Sequence, residues 1–250
     1  MHGTAGLVTG AGQRIGQACA LALAEAGVGV AVHFGRSREA ADAVCRQIRD
    51  RGGRALVLQA DLADPGQCAS LIPRAAAVLG PLAILVNCAA IFEPGSLART
   101  TPEAWNRHLA INLTAPFLLI QALAAQCPAP PTRQDEPAAP VAGKVVNVID
   151  QRIHRPRPGH LAYTTAKSAL WTLTRIAAAE LAPRIQVNAI GPGPILPAPD
   201  ATPEAFLRVA AATPMGRPGR VADLVHTLRF FLENDYVTGE MVCVDGGEHL

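Results

Sequence analysis

The stretch Gly6-Leu7-Val8-Thr9-Gly10-Ala11-Gly12-Gln13-Arg14-Ile15-Gly16 governs how the rest of the chain is read. Gly6-Leu7-Val8 is a short apolar strand that ends at Thr9-Gly10. Residues 14–26 then show helical spacing, with Ile15, Cys19, Ala22 and Ala26 on one face. The glycines of the joining turn let main chain approach a bound group, because a Cβ would fill that space. A helix opening straight from such a turn offers unpaired N–H groups and the positive end of its dipole. Together these features make a cradle for a pyrophosphate. Thr9, Gly10, Gly12, Arg14, Ile15 and Gly16 are the first candidate cofactor residues.

The pattern outward from this turn is an alternation of strands and helices. Short, apolar, β-branched runs predict strands at Val28–Val32, Ala55–Leu58, Ala83–Val86, Val145–Ile149, Ile185–Ile190 and Met241–Val244. Helical patterns fall at about 38–51, 65–79, 102–126, 160–181, 203–212 and 220–232. Strands apolar on both faces and separated by helices imply a parallel, doubly wound α/β sheet of Rossmann type. Seven strands and no linker predict a single domain over 1–250, with a cofactor half at about 1–127 and a catalytic and substrate half at about 144–250. The stretch 128–143 holds Pro128, Pro130, Pro131, Pro137 and Pro140, and reads as a mobile surface excursion.

Composition narrows the class. The 250 residues are 50% hydrophobic and 17% charged, enough to bury a full α/β core and too apolar for a disordered chain. A net charge of +2 argues against a nucleic-acid binder held mainly by phosphates. Met1-His2-Gly3-Thr4 does not open a signal peptide. The uncharged stretch Leu109 to Thr132 carries Asn112, Gln121, Gln126 and four prolines, and so reads as a buried helix rather than a membrane span. Six cysteines without C-x-x-C spacing read as buried, reduced thiols, hence a cytoplasmic protein with no metal site. Only two lysines, Lys144 and Lys167, and two tyrosines, Tyr163 and Tyr236, occur, and one of each lies in Tyr163-Thr164-Thr165-Ala166-Lys167.

The end of the second strand discriminates between nicotinamide cofactors. An acid there binds a ribose 2′-hydroxyl, whereas an arginine accommodates a 2′-phosphate. The sequence is Val32-His33-Phe34-Gly35-Arg36-Ser37, with no acid before Glu39. Arg36 offers charge-assisted bonds to a phosphate, with Ser37 and His33 as further donors beside Phe34. NADPH/NADP+ is therefore the expected cofactor. Asp61-Leu62 sits where the adenine falls, and Asn87-Cys88-Ala89 ends the fourth strand at the ligand-binding edge of the sheet.

Tyr163 and Lys167, four residues apart, share one helix face. An ammonium beside a phenol favours phenolate, which makes Tyr163 a workable proton donor as a hydride arrives. Lys167 also reaches a cofactor ribose. With Thr9-Gly10, Asn87-Cys88-Ala89, Asn112, Tyr163/Lys167, Val187-Asn188-Ala189-Ile190-Gly191-Pro192-Gly193 and Asp245-Gly246-Gly247, the chain resembles the short-chain dehydrogenase/reductase family along its whole length. That resemblance implies a water held by Asn112 and linked to Lys167, and Pro192, Gly193 and Ile195 beside the nicotinamide. It also implies a homotetramer built through helices 102–126 and 160–181 and the last strand.

The family's catalytic serine position, 13 residues before the tyrosine, is Asp150 here. The chain is most similar to the pteridine reductase and dihydromonapterin (dihydrofolate) reductase subgroup. That likeness rests on Asp150, on Arg14 at the central glycine of the phosphate turn, on His33-Phe34-Gly35-Arg36-Ser37 and on Phe92. It implies a pterin lying between nicotinamide and Phe92, with Arg14, Ala90, Phe92, Asp150 and Tyr163 at the substrate. Asp150 is expected either to have a raised pKa or to exchange its proton with Tyr163 as a coupled pair. Ala90, where that subgroup tends to have serine, and the proline-rich segment 194–202 depart from the pattern. The basic loop Arg152 to His160 is expected at the entrance, where it attracts an anionic substrate tail. A generic NADPH-dependent carbonyl reductase, such as a 3-oxoacyl thioester reductase, is the alternative. A non-catalytic NADPH-binding sensor is a third reading.

Overall fold

A computed structural model describes residues 3–127, 141–198 and 201–250. Seven strands form one sheet: β1 (Ala5–Val8), β2 (Gly29–Phe34), β3 (Ala55–Gln59), β4 (Leu82–Asn87), β5 (Gly143–Val148), β6 (Ile185–Pro192) and β7 (Met241–Val244). Their order is β3-β2-β1-β4-β5-β6-β7, and every pairing is parallel. The helices are α1 (Arg14–Glu25), α2 (Arg38–Asp50), α3 (Pro65–Leu79), α4 (Pro102–Leu109), α5 (Ala115–Gln126), α6 (Leu161–Leu181), α7 (Pro203–Ala211) and α8 (Val221–Glu233). The result is the expected single Rossmann-type α/β domain.

Two differences from the sequence reading stand out. The helical region at 102–126 is continuous in direction, but its middle widens into a π-helical turn at Ala110–Thr114, with Asn112 completely buried. The proline-rich excursion expected over 128–143 stops short of its last residue, because Gly143 opens β5 and pairs with Ile185. Positions 128–140 of that expected loop lie outside the described residues.

Both faces of the sheet are covered. On one, Leu71 and Ile72 of α3 and Leu119 and Leu123 of α5 pack over Leu7, Leu85 and Val145. On the other, Leu23 of α1, Ile48 of α2 and Phe231 of α8 pack over Val30, Val32 and Val146. The apolar run Pro102–Gln126 is long enough to cross a membrane by length and composition, but its Leu119 and Leu123 are fully buried in this core. All six cysteines are free. Burial pushes their thiols up, to about 11 for Cys45, Cys68, Cys88 and Cys243, so they stay protonated.

Chain growth reverses across β1, which pairs with β2 on one side and β4 on the other. A crevice therefore opens at the carboxyl ends of β1 and β4. Thr9 closes its floor: its Oγ accepts from the Cys88 and Ala89 N–H groups at 3.0 and 3.1 Å. The Thr9 side chain is thus committed to tying β1 to β4, in place of the cofactor contact expected of it. Gly10, at φ +64, donates its N–H to His33 Nδ1 at 3.1 Å. His33 Nε2 donates to Ala60 O at 3.1 Å. This fixes the tautomer, and the single ring N–H is already used, which corrects the expectation that His33 donates to a cofactor phosphate. Burial brings its pKa down to about 4, so the ring is neutral. At Gly16, an added Cβ would lie 2.2 Å from Gly10 O, so α1 can start against the turn only without a side chain there.

Lys144 caps α8. Its Nζ donates to Leu232 O at 2.8 Å, Asn234 O at 3.2 Å and Asp235 Oδ1 at 2.6 Å. A cation on terminal helix carbonyls satisfies orphan acceptors and the dipole together. Lys144→Met is expected to lower the melting temperature by about 3–6 °C in a thermal melt, from a loss of about 1–2 kcal/mol; an unchanged melt contradicts the cap. His33 generates a pH dependence. Its folded pKa near 4 lies below the ordinary 6.5, so in that window the unfolded chain binds the extra proton. Stability is complete above the window and falls by about 3 kcal/mol as pH drops through it. Urea unfolding at several pH values is expected to show that the difference between wild type and His33→Asn narrows on acidification. A constant difference contradicts the neutral His33.

Candidate active site

A cavity of about 480 Å³ lies at the carboxyl ends of the strands on the β1–β4 side of the sheet. It brings together the sequence-predicted Gly10, His33, Arg36, Asp61, Leu62, Ala89 and Ala90. Ala90, expected beside the substrate, lines this cavity. The cavity also takes in Gln59, Ala60, Arg107 and Ile111, which local sequence did not flag, because α4 and the π-helical turn reach it only through the tertiary fold. Arg36 is exposed, and its guanidinium has no acid partner among the described residues. Beside it Ser37 stands at the N-terminus of α2 with its hydroxyl not used as a cap. Asp61 Oδ1 accepts from the Ala63 N–H at 2.9 Å and shapes the β3 exit. The Phe34 side chain is buried in the α1–α2–α8 face of the core rather than turned to the cavity.

Around the end of β5, Asp150, Tyr163 and Lys167 come together. Tyr163 Oη donates to Asp150 Oδ2 at 2.9 Å, while Asp150 Oδ1 accepts from the Arg152 N–H at 2.8 Å. Tyr163 and Lys167 are both buried on one face of α6. Lys167 Nζ donates to Val148 O at 2.6 Å and stands 5.9 Å from the centre of the Tyr163 ring. The expected lowering of the tyrosine by the lysine is not found. Burial holds the phenol well above its ordinary value, the Asp150 charge and hydrogen bond add to this, and Arg152 opposes them. Burial also brings Lys167 down to about 8, against the pull of Cys88 and Asp150.

Asn112 is placed by the π-helical turn, which displaces backbone groups from the regular ladder. Its amide pairs both ways with Ile91, accepting from the N–H at 3.0 Å and donating to the O at 2.9 Å. The side chain thus holds the β4 exit on the helix. Asn87 Nδ2 donates to Asn147 Oδ1 at 2.8 Å, and Asn147 Nδ2 donates to Thr174 Oγ at 2.9 Å. This buried chain links β4, β5 and α6. Asn147 and Thr174 carried no sequence signal beyond being polar in apolar runs. Asn87 Oδ1 is buried with no partner among the described residues.

The mouth is aromatic and basic. Phe92, 41% exposed, stacks on His160 with ring centres 3.9 Å apart and meets Tyr163 edge-on at 4.7 Å. The neighbouring β6 and β7 exits pack closely together: at Gly193 an added Cβ would lie 2.5 Å from Asp245 Cα, and Ile195 is buried against the core. Pro192 ends β6 just before this crossing. Arg14 sits at φ +56, the left-handed conformation that glycine favours, and its Nη2 donates to Pro197 O at 2.7 Å. The arginine expected at a phosphate or substrate oxygen therefore clasps the segment after β6. Cys243, Asp245 and His249 bring ligand-type atoms within 4.8 Å of one another. Asp245 is already engaged there by the Gly247 N–H, the His249 N–H and His249 Nδ1.

The sequence family described as Enoyl-(Acyl carrier protein) reductase matches residues 10–249. A short-chain type dehydrogenase/reductase of Picea abies is 31% identical, covering 99% of this chain and 93% of its own. The 3-oxoacyl-[acyl-carrier-protein] reductase FabG of Staphylococcus aureus is 33% identical, covering 98% of this chain and 97% of its own. Among solved structures, FolM Alternative dihydrofolate reductase 1 from Brucella suis, in complex with NADP, is 39% identical. It aligns with a TM-score of 0.90 over 100% of this chain and 96% of its own. Matched over nearly its whole length by family, relatives and fold, the chain belongs to the short-chain dehydrogenase/reductase family.

Proposed function

We propose that this oxidoreductase uses NADPH to reduce a pterin-type C=N bond, with a dihydropteridine or dihydrofolate-like compound as substrate. The observation that carries the reading is the 2.9 Å hydrogen bond from Tyr163 to a carboxylate, Asp150. The glycines of the turn pack too closely on Ala89, Ala41 and the Gly10 carbonyl to carry side chains, and among the described residues Arg36 at the β2 exit has no acid partner and Asn87 Oδ1 is a buried acceptor without a hydrogen bond. These features fit NADP, the ligand of the FolM structure. Backbone N–H groups of Gly12 to Gly16 would hold its pyrophosphate, since those of Gly10 and Ala11 are used by His33, with Arg36 and Ser37 at its 2′-phosphate and Lys167 at its nicotinamide ribose. The bound nicotinamide supplies the hydride.

The chain's own groups handle the proton. Tyr163 Oη is placed to give a proton to a ring nitrogen, directly or through water, while Asp150 Oδ2 accepts from it at the start. The high proton affinity of the buried phenol keeps it a donor rather than a phenolate before reaction. Phe92, partly exposed and edge-on to Tyr163, offers a flat wall for a heterocycle. The second reading, reduction of a 3-oxoacyl thioester, is favoured by the family description and the FabG likeness. Assembly is proposed as a homotetramer: Phe117 on α5 and Ile176 on α6 are about half exposed, and β7 is an edge strand.

NADPH oxidation is to be followed with dihydrobiopterin, dihydrofolate and acetoacetyl thioesters. Turnover of the pterins is expected; turnover of thioesters alone refutes the pterin assignment. Arg36→Ala is expected to raise KM for NADPH about tenfold or more and to leave NADH nearly unchanged. Equal losses with both cofactors contradict a 2′-phosphate contact. Phe117→Glu together with Ile176→Glu is expected to convert the tetramer to smaller species in sedimentation, and an unshifted sedimentation coefficient contradicts the helix interface.

A further inference from the structure

Between Asp150 and Tyr163 the chain carries Arg152, His154, Arg155, Arg157 and His160 and no acid. The structure divides these basic residues. Arg157 pairs with Glu248 at 3.3 Å, and Arg155 donates to the main-chain oxygen of Leu250. His154 lies against His249, with ring centres 5.6 Å apart. The C-terminal residues therefore occupy the outer basic residues of the loop within the same chain. Arg152 is treated differently. Its guanidinium has no hydrogen-bonded acid among the described residues and lies 5.9 Å from the centre of the Phe92 ring. Its main chain is held in place, because its N–H donates to Asp150 Oδ1 at 2.8 Å.

We infer that Arg152 is an anion-recognition subsite at the mouth of the Asp150–Tyr163 centre. It takes a carboxylate or phosphate that the substrate carries on a substituent remote from the reacting bond. The inference rests on the centre proposed above but not on the substrate being a pterin. Geometry supplies the direction. A flat group against Tyr163 must lie along Phe92, since the two rings meet edge-on at 4.7 Å, and His160 already covers one Phe92 face. A substituent leaving the centre along Phe92 then runs past the guanidinium. An arginine with no hydrogen-bonded acid among the described residues, half-buried and beside an aromatic ring, presents its donor fork to a carboxylate or phosphate at little cost in reorganisation. The two carboxylates near it are both engaged elsewhere, Asp150 by the Tyr163 hydroxyl and the Arg152 N–H, and Glu248 by Arg157.

Two substrate pairs test this, each with one charged and one uncharged tail. Dihydrofolate carries carboxylates and dihydrobiopterin does not. Acetoacetyl-coenzyme A carries phosphates and acetoacetyl-N-acetylcysteamine does not. In whichever pair is turned over, the charged-to-neutral ratio of kcat/KM is expected to fall about tenfold in Arg152→Ala. It is expected to fall further in Arg152→Glu and to be partly restored in Arg152→Lys. In wild type the same ratio is expected to shrink with rising salt, a readout that needs no variant to fold. Any change in the proton affinity of Tyr163 affects both members of a pair and cancels in the ratio. A ratio that is the same in all variants and at all salt concentrations overturns the subsite. Turnover of the thioester pair alone overturns the pterin reading while still testing Arg152 with a phosphate. No turnover of any of the four overturns both.

Discussion

The crevice between β1 and β4 depends on one buried polar clasp. Gly10 gives its N–H to His33, His33 gives its own to Ala60, and Thr9 accepts two N–H groups from the β4 exit. These bonds hold the ends of four strands, β1 to β4, in one arrangement. They also satisfy the glycine turn, whose φ of +64 at Gly10 takes its N–H off the sheet ladder and onto His33. Everything proposed for the cofactor side follows from that arrangement: the open cradle, the exposed Arg36 and the cavity beneath it.

The catalytic side is built on a second constraint, the burial of Tyr163 and Lys167 on one face of α6. Burial raises the phenol and lowers the ammonium, so both groups are held toward their neutral forms before any ligand arrives. Asp150 then decides what the tyrosine can do. A hydroxyl at that position would share a hydrogen bond without charge. A carboxylate sets an acceptor against the phenol and favours retention of its proton until a stronger acceptor, such as a reduced ring nitrogen, appears.

Much of this was legible in the residues. Seven strands and their helices follow from the period of apolar positions, which registers burial on both sheet faces directly. The pair Tyr163 and Lys167 was legible because i and i+4 on a helix must share a face. What escaped was the commitment of polar side chains to distant main chain. His33 and Thr9 looked like ligand donors, yet their partners, Ala60, Cys88 and Ala89, are set by strand order. Lys144 had no assignment, since the α8 carbonyls it caps lie about ninety residues away. Arg14 had two expected partners and took a third, Pro197. The effect of Lys167 on Tyr163 was misjudged for the same reason: spacing gives proximity, while burial and Asp150 set the energetics.

The central claim is that the Tyr163–Asp150 pair, rather than a Tyr–Ser pair, selects the substrate. The most direct measurement compares Asp150→Ser with wild type in the ratio of kcat/KM for a dihydropterin to that for an oxoacyl thioester. The account predicts that the ratio falls at least tenfold, with NADPH affinity retained. A ratio unchanged by the substitution contradicts it.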